Sequence, residues 1–302
     1  MSVVINTNVD SLRIQSNLTS ATNGLSQAMQ RMSNGLKINS AKDDAAGTVI
    51  SARMNVQLDG NKICQNNVQN ANSMLSTAEG NLDVILDNVS RIRDLTLQAK
   101  NGTYSDEEIE AMQKEVKERL EEIDRVSASS KFSQLELFED ATLQKDGVTF
   151  QVGPNHDEAE KDPCNTIKAS NKIFESVTFS SLTTVKGSFD LKTIKENSTR
   201  AEGADAKGNY TDFNQALTAL DNAIDNLTER KSLIGSAQGR LASALDTLTT
   251  QYTNLSSAKS LITDADIADE ASNFTQDQIL QQVATALLAQ ANQAPSMALS
   301  LV

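Results

Sequence analysis

The sequence predicts a mainly α-helical fold in which both chain ends form hairpin-like coiled-coil helical rods around a small central region that contains a β-hairpin. Apolar residues recur every seven residues near both ends, and this spacing keeps one stripe of a helix facing a partner. From about Ser127 to Asn209 this period is lost. Aromatic residues make up 4% of the 302 residues and Trp is absent, which favours long, thin bundles over a large globular core.

The two heptad seams lie far apart in the chain. The first consists of Ile14, Leu18, Ala21, Leu25, Ala28 and Met32, and it fades at Ser11, with Leu12 beside it. The second consists of Ile234, Leu241, Leu248, Leu255 and Ile262, with Ala237, Ala244, Ala258 and Ala265 three residues on and Gln251 as the one polar break. Such segments can share a rod only if the chain runs out and comes back. This hairpin suits a subunit of an assembly better than an enzyme.

Turn and capping signals divide the helical parts. Ser33-Asn34-Gly35 ends a first helix that starts near Val9, and Asn101-Gly102 ends the second. The capping box Ser105-Asp106-Glu107-Glu108 opens the third helix with acidic residues at its positive end. Between the first two helices we expect the cap and turn residues Asn39, Ser40, Asp43 and Asp44. Buried rows are predicted on the second helix (Val68, Leu75, Leu82, Val89) and the third (Ile109, Met112, Val116, Leu120, Ile123).

The centre of the chain has the shorter period of strands. Residues 142–144, the turn Lys145-Asp146-Gly147 and residues 148–152 predict a β-hairpin with Asp-Gly at its turn. A few more short strands are expected as far as Val185, and residues 201–208 form the predicted linker. A long returning helix is then predicted from about Asp212 to Ser260, with Gly235 as the place where an interruption is expected.

These elements predict three parts. Residues 1–45 and 264–302 would form an inner terminal helical domain, residues 46–165 and 209–263 a helical bundle domain with a β-hairpin, and residues 166–208 a short central insert. The terminal domain has the least self-sufficient sequence. We therefore expect much of 1–45 and 264–302 to be mobile in the monomer and helical in a polymer, because ordering each backbone residue costs about 1–2 kcal/mol.

The last predicted helix is apolar on most sides between Ile279 and Ala291. Such a helix must be buried on most sides, and the first helix can cover only one face. Other copies of the same chain are the simplest cover, and head-to-tail contacts that do not close produce a helical filament. A four-helix bundle that buries everything internally ranks second, because the apolar pattern continues to the chain end at Met297, Leu299, Leu301 and Val302. The predicted self-assembly residues are Leu12, Ile14, Leu18, Leu25, Met32, Ile279, Leu280, Val283, Leu287 and Leu288.

Charge and composition restrict the partners. The formal net charge is -13, which disfavours nucleic acid and anionic lipid as partners, and basic runs with interleaved aromatic residues are absent. The first residues lack the pattern of a secretory signal peptide, and the most apolar stretch, 278–302, is broken by Gln, Asn and Pro. We expect neither nucleic acid nor membrane as a partner.

Chemistry-bearing residues are sparse. His156 is the only histidine and lies in the polar loop Gly153-Pro154-Asn155-His156-Asp157-Glu158, where a solvated residue is favoured over a catalyst. The sequence contains no metal, nucleotide or protease motif, so we predict no cofactor and no enzyme. Cys64 and Cys164 lie in different parts of the predicted fold. A disulfide between them is possible in an exported protein, but we favour two free thiols.

A set of short motifs lies in the two ends of the chain and in the segments next to them. They include Val4-Ile5-Asn6-Thr7-Asn8, the stretch from Asn34-Gly35-Leu36 to Asp43-Asp44-Ala45-Ala46-Gly47, and Glu122-Ile123-Asp124-Arg125-Val126. Phe150-Gln151-Val152-Gly153, Asp264-Ala265-Asp266, Gln278-Ile279-Leu280-Gln281-Gln282 and Leu288-Ala289-Gln290-Ala291-Asn292-Gln293 complete the set. Together these motifs resemble bacterial flagellin, and the resemblance covers roughly the first 155 and last 90 residues.

The resemblance implies a subunit of the bacterial flagellar filament, used in swimming motility. The two ends would form the inner, lumen-lining domain and the central segment would lie outermost. The chain would be secreted through the flagellar channel to the extracellular filament, with an export chaperone, cap proteins and junction proteins as partners. Two features depart from the family: Phe132-Ser133-Gln134 replaces the usual Phe-Asn-Gly, and the centre is short.

Two other identities remain open at this stage. Hook–filament junction proteins share the terminal design, but tend to carry a Pro-Ser-Asp-Asp-Pro-like loop where this chain has Ser40-Ala41-Lys42-Asp43-Asp44-Ala45. A coiled-coil adaptor or binding module would use its seams to recruit a different protein. Filaments seen by electron microscopy would exclude the adaptor.

One stretch also resembles the flagellin surface read by an animal Toll-like receptor. Arg91, Leu95 and Glu115 keep the residue types of that surface, while Ser90 and Asp94 replace Gln and Glu. The resemblance implies recognition of the free monomer. The simpler interpretation is that Arg91 and Glu115 are solvated helix charges and that Leu95 lies against the seam beside Ile92.

Overall fold

A computed structural model describes residues 8–155, 165–183, 189–200 and 212–299, without the side chains of 196–200 and 294–299. His156, Cys164, the predicted linker 201–208 and the motif residues 4–7 lie outside this description. None of the described helices combines the length and the hydropathy that crossing a bilayer requires.

Eight α-helices, five of them long, make up most of the described chain. They are α1 (Val9–Asn34), α2 (Ala45–Lys100), α3 (Asp106–Ser129), α4 (Ala141–Asp146), α5 (Phe179–Thr183), α6 (Leu191–Arg200), α7 (Phe213–Thr263) and α8 (Ile267–Leu299). Four short strands form two antiparallel pairs, β1 (Lys131–Phe132) with β2 (Leu135–Glu136) and β3 (Val148–Gln151) with β4 (Thr166–Ala169). A 3₁₀ turn spans Asn171–Phe174. The mainly α fold with a small β-containing centre is therefore confirmed.

The chain divides into two compact units. The first contains residues 1–59 and 252–302, and the second contains residues 60–251. The first unit therefore joins the two chain ends, as predicted for a chain that runs out and returns. The expected pairing of the two heptad seams with each other is wrong, because α1 packs along α8, and Ile234, Leu241 and Leu248 of the second seam lie in the core of the second unit. The division into three domains at residues 45, 165, 208 and 263 remains a prediction.

In the first unit, α1 packs along α8. Asn8 caps the start of α1 through its side-chain oxygen, which accepts the Ser11 N–H, and Gly35 ends the helix in the left-handed conformation at φ 67°. The Gly35 N–H donates to the Arg31 carbonyl, as the predicted turn signal requires. The start of α1 is thus determined by the Asn8 cap and its end by the turn at Gly35.

The segments that follow α1 and precede α8 bind each other. The Lys37 N–H donates to the Thr263 carbonyl at 2.7 Å, and the Ala265 N–H donates to the Gly35 carbonyl at 3.0 Å. In the loop before α2, the Asp43 carboxylate accepts the N–H groups of Asn39 and Ser40. The Asp44 carboxylate accepts the Gly47 N–H and caps α2. Asp43 and Asp44 have the cap and turn roles that we expected.

In the second unit, the predicted seams form the core. Val68, Leu75, Leu82 and Val89 on α2 are fully buried, as are Ile234 and Leu241 on α7. On α3, Ile109, Val116 and Ile123 are buried, while Met112 and Leu120 are half-buried against the same core. The capping box at Ser105 is present, with the Glu108 carboxylate accepting the Ser105 N–H at 2.8 Å.

The predicted β-hairpin over 142–152 is wrong in its first half. Residues 141–146 form α4 because the Asp140 carboxylate caps the N–H groups of Thr142 and Leu143, which favours a helical turn. Gly147 ends that turn at φ 71°, and β3 then pairs with β4 instead of with the segment before it. The Asp-Gly pair therefore marks a helix end, and the tight hairpin of this region is β1–β2.

Two positions concern the backbone conformation that glycine allows. Gly235 does not interrupt α7, which is continuous through Thr263, because one Gly costs a helix only about 1 kcal/mol and the nearby Ile234 and Ala237 are buried in the core. Ser133, in the turn between β1 and β2, has φ 59°. It is the single non-glycine residue with positive φ in the described chain, in a position that favours Gly or Asn.

Candidate self-assembly surface

The inward face of α1 is the predicted seam. Its two alanines, Ala21 and Ala28, are 6% and 3% exposed, so the backbone of α1 approaches its partner closely there. The larger seam residues are half-buried: Ile14, Leu18, Leu25 and Met32. Helix α8 is the neighbour along which α1 packs, so this row is used inside the chain.

The matching row of α8 was not predicted as a row, because three of its seven members are polar. Its half-buried or buried members alternate in steps of four and three: Glu270, Phe274, Asp277, Gln281, Ala284, Leu288 and Ala291. A search for apolar residues alone misses such a row, whereas the spacing itself was visible in the sequence. Helix α8 thus presents a mixed row of polar and apolar side chains to α1, while most of its large apolar residues lie on another face.

Polar contacts fix α1 against α8 in antiparallel register. The Arg31 guanidinium donates to the Glu270 carboxylate at 3.0 Å, with side-chain exposures of 24% and 11%. Gly24 lies seven residues before Arg31 on α1, and it faces Asp277, which lies seven residues after Glu270 on α8. A Cβ on Gly24 would overlap the Asp277 carboxylate. Near the start of α1, the Asn8 amide nitrogen donates to the Ala291 carbonyl at 2.8 Å.

The outward apolar strip of α8 consists of Ile279, Leu280, Val283 and Leu287. These side chains are 55%, 47%, 48% and 50% exposed, although they are among the largest apolar residues of the helix. A shallow groove continues the strip toward the start of α8 and is lined by Ala271, Ser272, Thr275, Gln276, Ile279 and Leu280. Four large apolar side chains on one face of one helix are thus left about half exposed in the single chain.

The ten predicted self-assembly residues therefore fall into two groups. The first group is half-buried and belongs to the rows of α1 and α8 that face each other: Ile14, Leu18, Leu25, Met32 and Leu288. The strip residues and Leu12, which is 57% exposed, remain open to solvent. Only this second group has about half of its surface exposed in the single chain.

The three residues predicted for receptor recognition lie in the second unit. Arg91 donates to both Glu115 carboxylate oxygens, at 2.9 and 3.3 Å, and Arg119 donates to the same carboxylate. The hydrogen bond from Arg91 keeps the pKa of Glu115 below its ordinary value. Leu95 is 2% exposed and belongs to the hydrophobic core. Arg91 and Glu115 are thus open to a partner, while Leu95 supports the helix from inside.

Cys64 is buried at 3% exposure on α2, and burial raises the pKa of its thiol. A buried thiol with a raised pKa is a poor nucleophile, because the thiolate is the reactive form. Among the described residues, His, Cys, Asp and Glu side chains form no group of three that could hold a metal ion.

Comparisons with known proteins account for most of the chain. Residues 5–142 match the bacterial flagellin N-terminal helical region, and residues 217–302 match the bacterial flagellin C-terminal helical region. The chain is 37% identical to a flagellin of Xenorhabdus nematophila over the whole of both chains. It is 32% identical to the flagellin of Bacillus subtilis over 99% of each chain.

A solved structure gives a more distant likeness. A flagellar hook-associated protein from Vibrio parahaemolyticus is 18% identical, with a TM-score of 0.52, over 73% of this chain and 99% of that one. This similarity concerns the fold alone and does not favour the junction-protein alternative. The matches at both ends, the full-length flagellin relatives and the paired terminal helices agree: the chain belongs to the bacterial flagellin family, a structural and not an enzymatic family, and is a self-associating subunit of the extracellular flagellar filament.

Proposed function

We propose that the outward apolar strip of α8, together with Leu12 of α1, is the surface through which subunits contact one another in the filament. The main observation behind this proposal is that Ile279, Leu280, Val283 and Leu287 are about half exposed, although another row of the same helix already packs on α1. Self-association gives these side chains a cover that one chain does not provide. The half-buried residues Ile14, Leu18, Leu25, Met32 and Leu288 support this surface by holding α1 against α8.

The terminal helices order fully only on assembly in this proposal. Fixing a backbone residue costs about 1–2 kcal/mol, while burial returns about 25 cal/mol per Å² of apolar surface. In the first unit, Leu12, Ile279 and Leu280 are each close to half exposed, so a single chain recovers only part of that cost. Contacts with neighbouring subunits supply the rest.

Limited proteolysis tests the coupling between order and assembly. Monomer and filament are treated with the same low protease concentration, and cleavage sites are mapped by mass spectrometry. We expect rapid cleavage within 1–45 and 264–302 of the monomer and strong protection of the same segments in the filament. Equal resistance of both ends in the two states would refute ordering on assembly.

Three domains fit this function. The terminal segments 1–45 and 264–302 would line the lumen, the bundle of 46–165 and 209–263 would surround them, and the insert of 166–208 would face outward. Export through the flagellar channel, with a chaperone, cap proteins and junction proteins as partners, belongs to the same proposal. Co-purification of an export chaperone with the full-length monomer is the direct test, and a monomer that retains no chaperone would contradict this part of the proposal.

Recognition of the free monomer by an animal Toll-like receptor is a second proposal. It is favoured by the exposed ion pair of Arg91 and Glu115, whose side chains are 47% and 36% accessible. Monomer preparations of the wild type and of Arg91→Ala are applied to receptor-bearing cells. We expect activation by the wild type and a loss with Arg91→Ala. A wild-type monomer that fails to activate the cells would overturn the proposal.

A further inference from the structure

Helix α8 contains a proline that removes one of its own hydrogen bonds. In an α-helix the carbonyl of each residue accepts the N–H of the residue four positions later. Helix α8 spans Ile267–Leu299, so the helical donor for the Ala291 carbonyl would come from position 295. Position 295 is Pro295, which has no N–H. The Ala291 carbonyl is thus left without its helical partner.

Asn8 supplies the missing donor from the other end of the chain. Its side-chain nitrogen donates to the Ala291 carbonyl at 2.8 Å, across 283 positions of sequence. Its side-chain oxygen accepts the Ser11 N–H at 3.1 Å and so caps α1. The two contacts fix the orientation of the amide, because an N–H can only donate and a carbonyl can only accept. One side chain therefore completes both helices.

We propose that Asn8 is a positioning residue that fixes the register of α1 against α8 by pairing with the carbonyl that Pro295 leaves free. The site is specific in register. A slide of α8 would place Asn8 opposite a carbonyl that already has its helical donor, and the Ala291 carbonyl would lose the donor that Asn8 supplies. Register in turn decides which residues of α8 face α1 and which form the outward strip.

The residue type at position 8 separates this role from ordinary capping. Asn, Asp and Ser cap a helix about equally well. Ser is too short to reach Ala291, and Asp would place a second acceptor against the carbonyl. Only the amide both accepts from Ser11 and donates to Ala291. The variants Asn8→Ser and Asn8→Asp therefore keep the cap and remove the donor.

A double-mutant cycle on the full-length chain tests the inference. The variants Asn8→Ser, Pro295→Ala and their combination are compared with the wild type. The cycle is read from the critical concentration for filament growth and from thermal unfolding of the monomer, so that coupling is seen whether the ends order on assembly or before it. Only the first readout rests on the proposed function.

With Pro295 present, we expect Asn8→Ser to raise the critical concentration about five-fold, the effect of one lost neutral hydrogen bond. Asn8→Asp is expected to raise it further. In the Pro295→Ala background, position 295 regains an N–H for the Ala291 carbonyl, and Asn8→Ser should then cost less than about two-fold. Ser11→Ala, which removes a neighbouring contact to Asn292 at 3.0 Å, is the matched control and should be additive with Pro295→Ala.

An equal cost of Asn8→Ser in both backgrounds, in both readouts, would overturn the inference, as would the absence of any cost with Pro295 present. The outcome is distinguishable from failure of the proposed function. A non-additive cycle combined with normal polymerisation of strip variants would leave the role of Asn8 intact and remove the strip from the subunit contact. An additive cycle combined with defective polymerisation of the strip variants would refute the role of Asn8 and leave the strip in the subunit contact.

Discussion

The outward strip can be weakened without disturbing the helix that carries it. Leu280 and Leu287 are 47% and 50% exposed, so replacing them affects mainly surface that is open in the single chain. Gln matches Leu closely in helix propensity, and the double variant Leu280→Gln/Leu287→Gln therefore keeps α8 helical. It removes apolar area from the proposed subunit contact and little from the α1–α8 packing.

The magnitude follows from the exposed fractions. Complete burial of a Leu side chain is worth about 1.5–3 kcal/mol, so the exposed half of each residue has about 1 kcal/mol still to gain on assembly. Two residues give about 2 kcal/mol, which corresponds to roughly a 30-fold change in an equilibrium constant. We expect the critical concentration for filament growth to rise by about that factor.

Sedimentation of filaments over a range of protein concentrations measures the critical concentration. Gln278→Ala is the control, since Gln278 is an exposed polar residue on the same helix and contributes no apolar area to the strip. Monomer circular dichroism should be the same for all three proteins. A double variant that polymerises at the wild-type concentration would show that the strip stays exposed in the filament and would refute the reasoning.

Three further predictions concern backbone strain and pH. Ser133→Gly should stabilise the second unit by about 1 kcal/mol, seen as a higher thermal midpoint, because Ser133 holds φ at 59°; an unchanged or lower midpoint would contradict this. Gly147→Ala should destabilise the same unit by about 2–3 kcal/mol in denaturant titration, since φ is 71°, ψ is -165° and the new Cβ would meet the Ala169 carbonyl; a loss below about 1 kcal/mol would contradict it. Hydrogen bonds from Ser40 lower the pKa of Asp43, and a hydrogen bond from the Ser260 hydroxyl lowers the pKa of Asp264. The ionised carboxylates therefore stabilise the folded first unit fully above pH 3.8, the ordinary pKa, and this stabilisation is lost as the pH falls through the lower pKa values of the folded state. Protease cleavage of the loop 35–44 should therefore rise below that pH in the wild type, and Asp43→Asn should flatten the pH dependence; the same pH profile for both proteins would contradict the assignment.

The heptad pattern predicted the core with little ambiguity. Val68, Leu75, Leu82 and Val89 are fully buried where their spacing placed them, because a long helix tolerates few ways of facing one partner. The caps at Ser105, Asp44 and Gly35 followed from local chemistry that acts within four residues. These parts of the fold depend on interactions close in sequence, and the sequence displays such interactions directly.

Pairings between distant segments were harder to predict. The strand at 148–151 was correctly placed, but its partner at 166–169 lies beyond a loop, and the capping strength of Asp140 turned the expected first strand into a helix. The row of α8 that faces α1 was not predicted, because Glu270, Asp277 and Gln281 break the apolar pattern while keeping its spacing. The contact of Asn8 with Ala291 depends on the absence of an N–H at Pro295, which has meaning only once α1 and α8 are paired.

Deletion of residues 264–302 tests the central claim most directly. The truncated chain retains the second unit, including its buried core, and lacks the whole outward strip. Purified truncated and full-length proteins are incubated at matched concentrations with filament seeds, and growth is followed by electron microscopy. The account predicts a folded, soluble protein that does not elongate the seeds. Elongation at the rate of the full-length chain would contradict it.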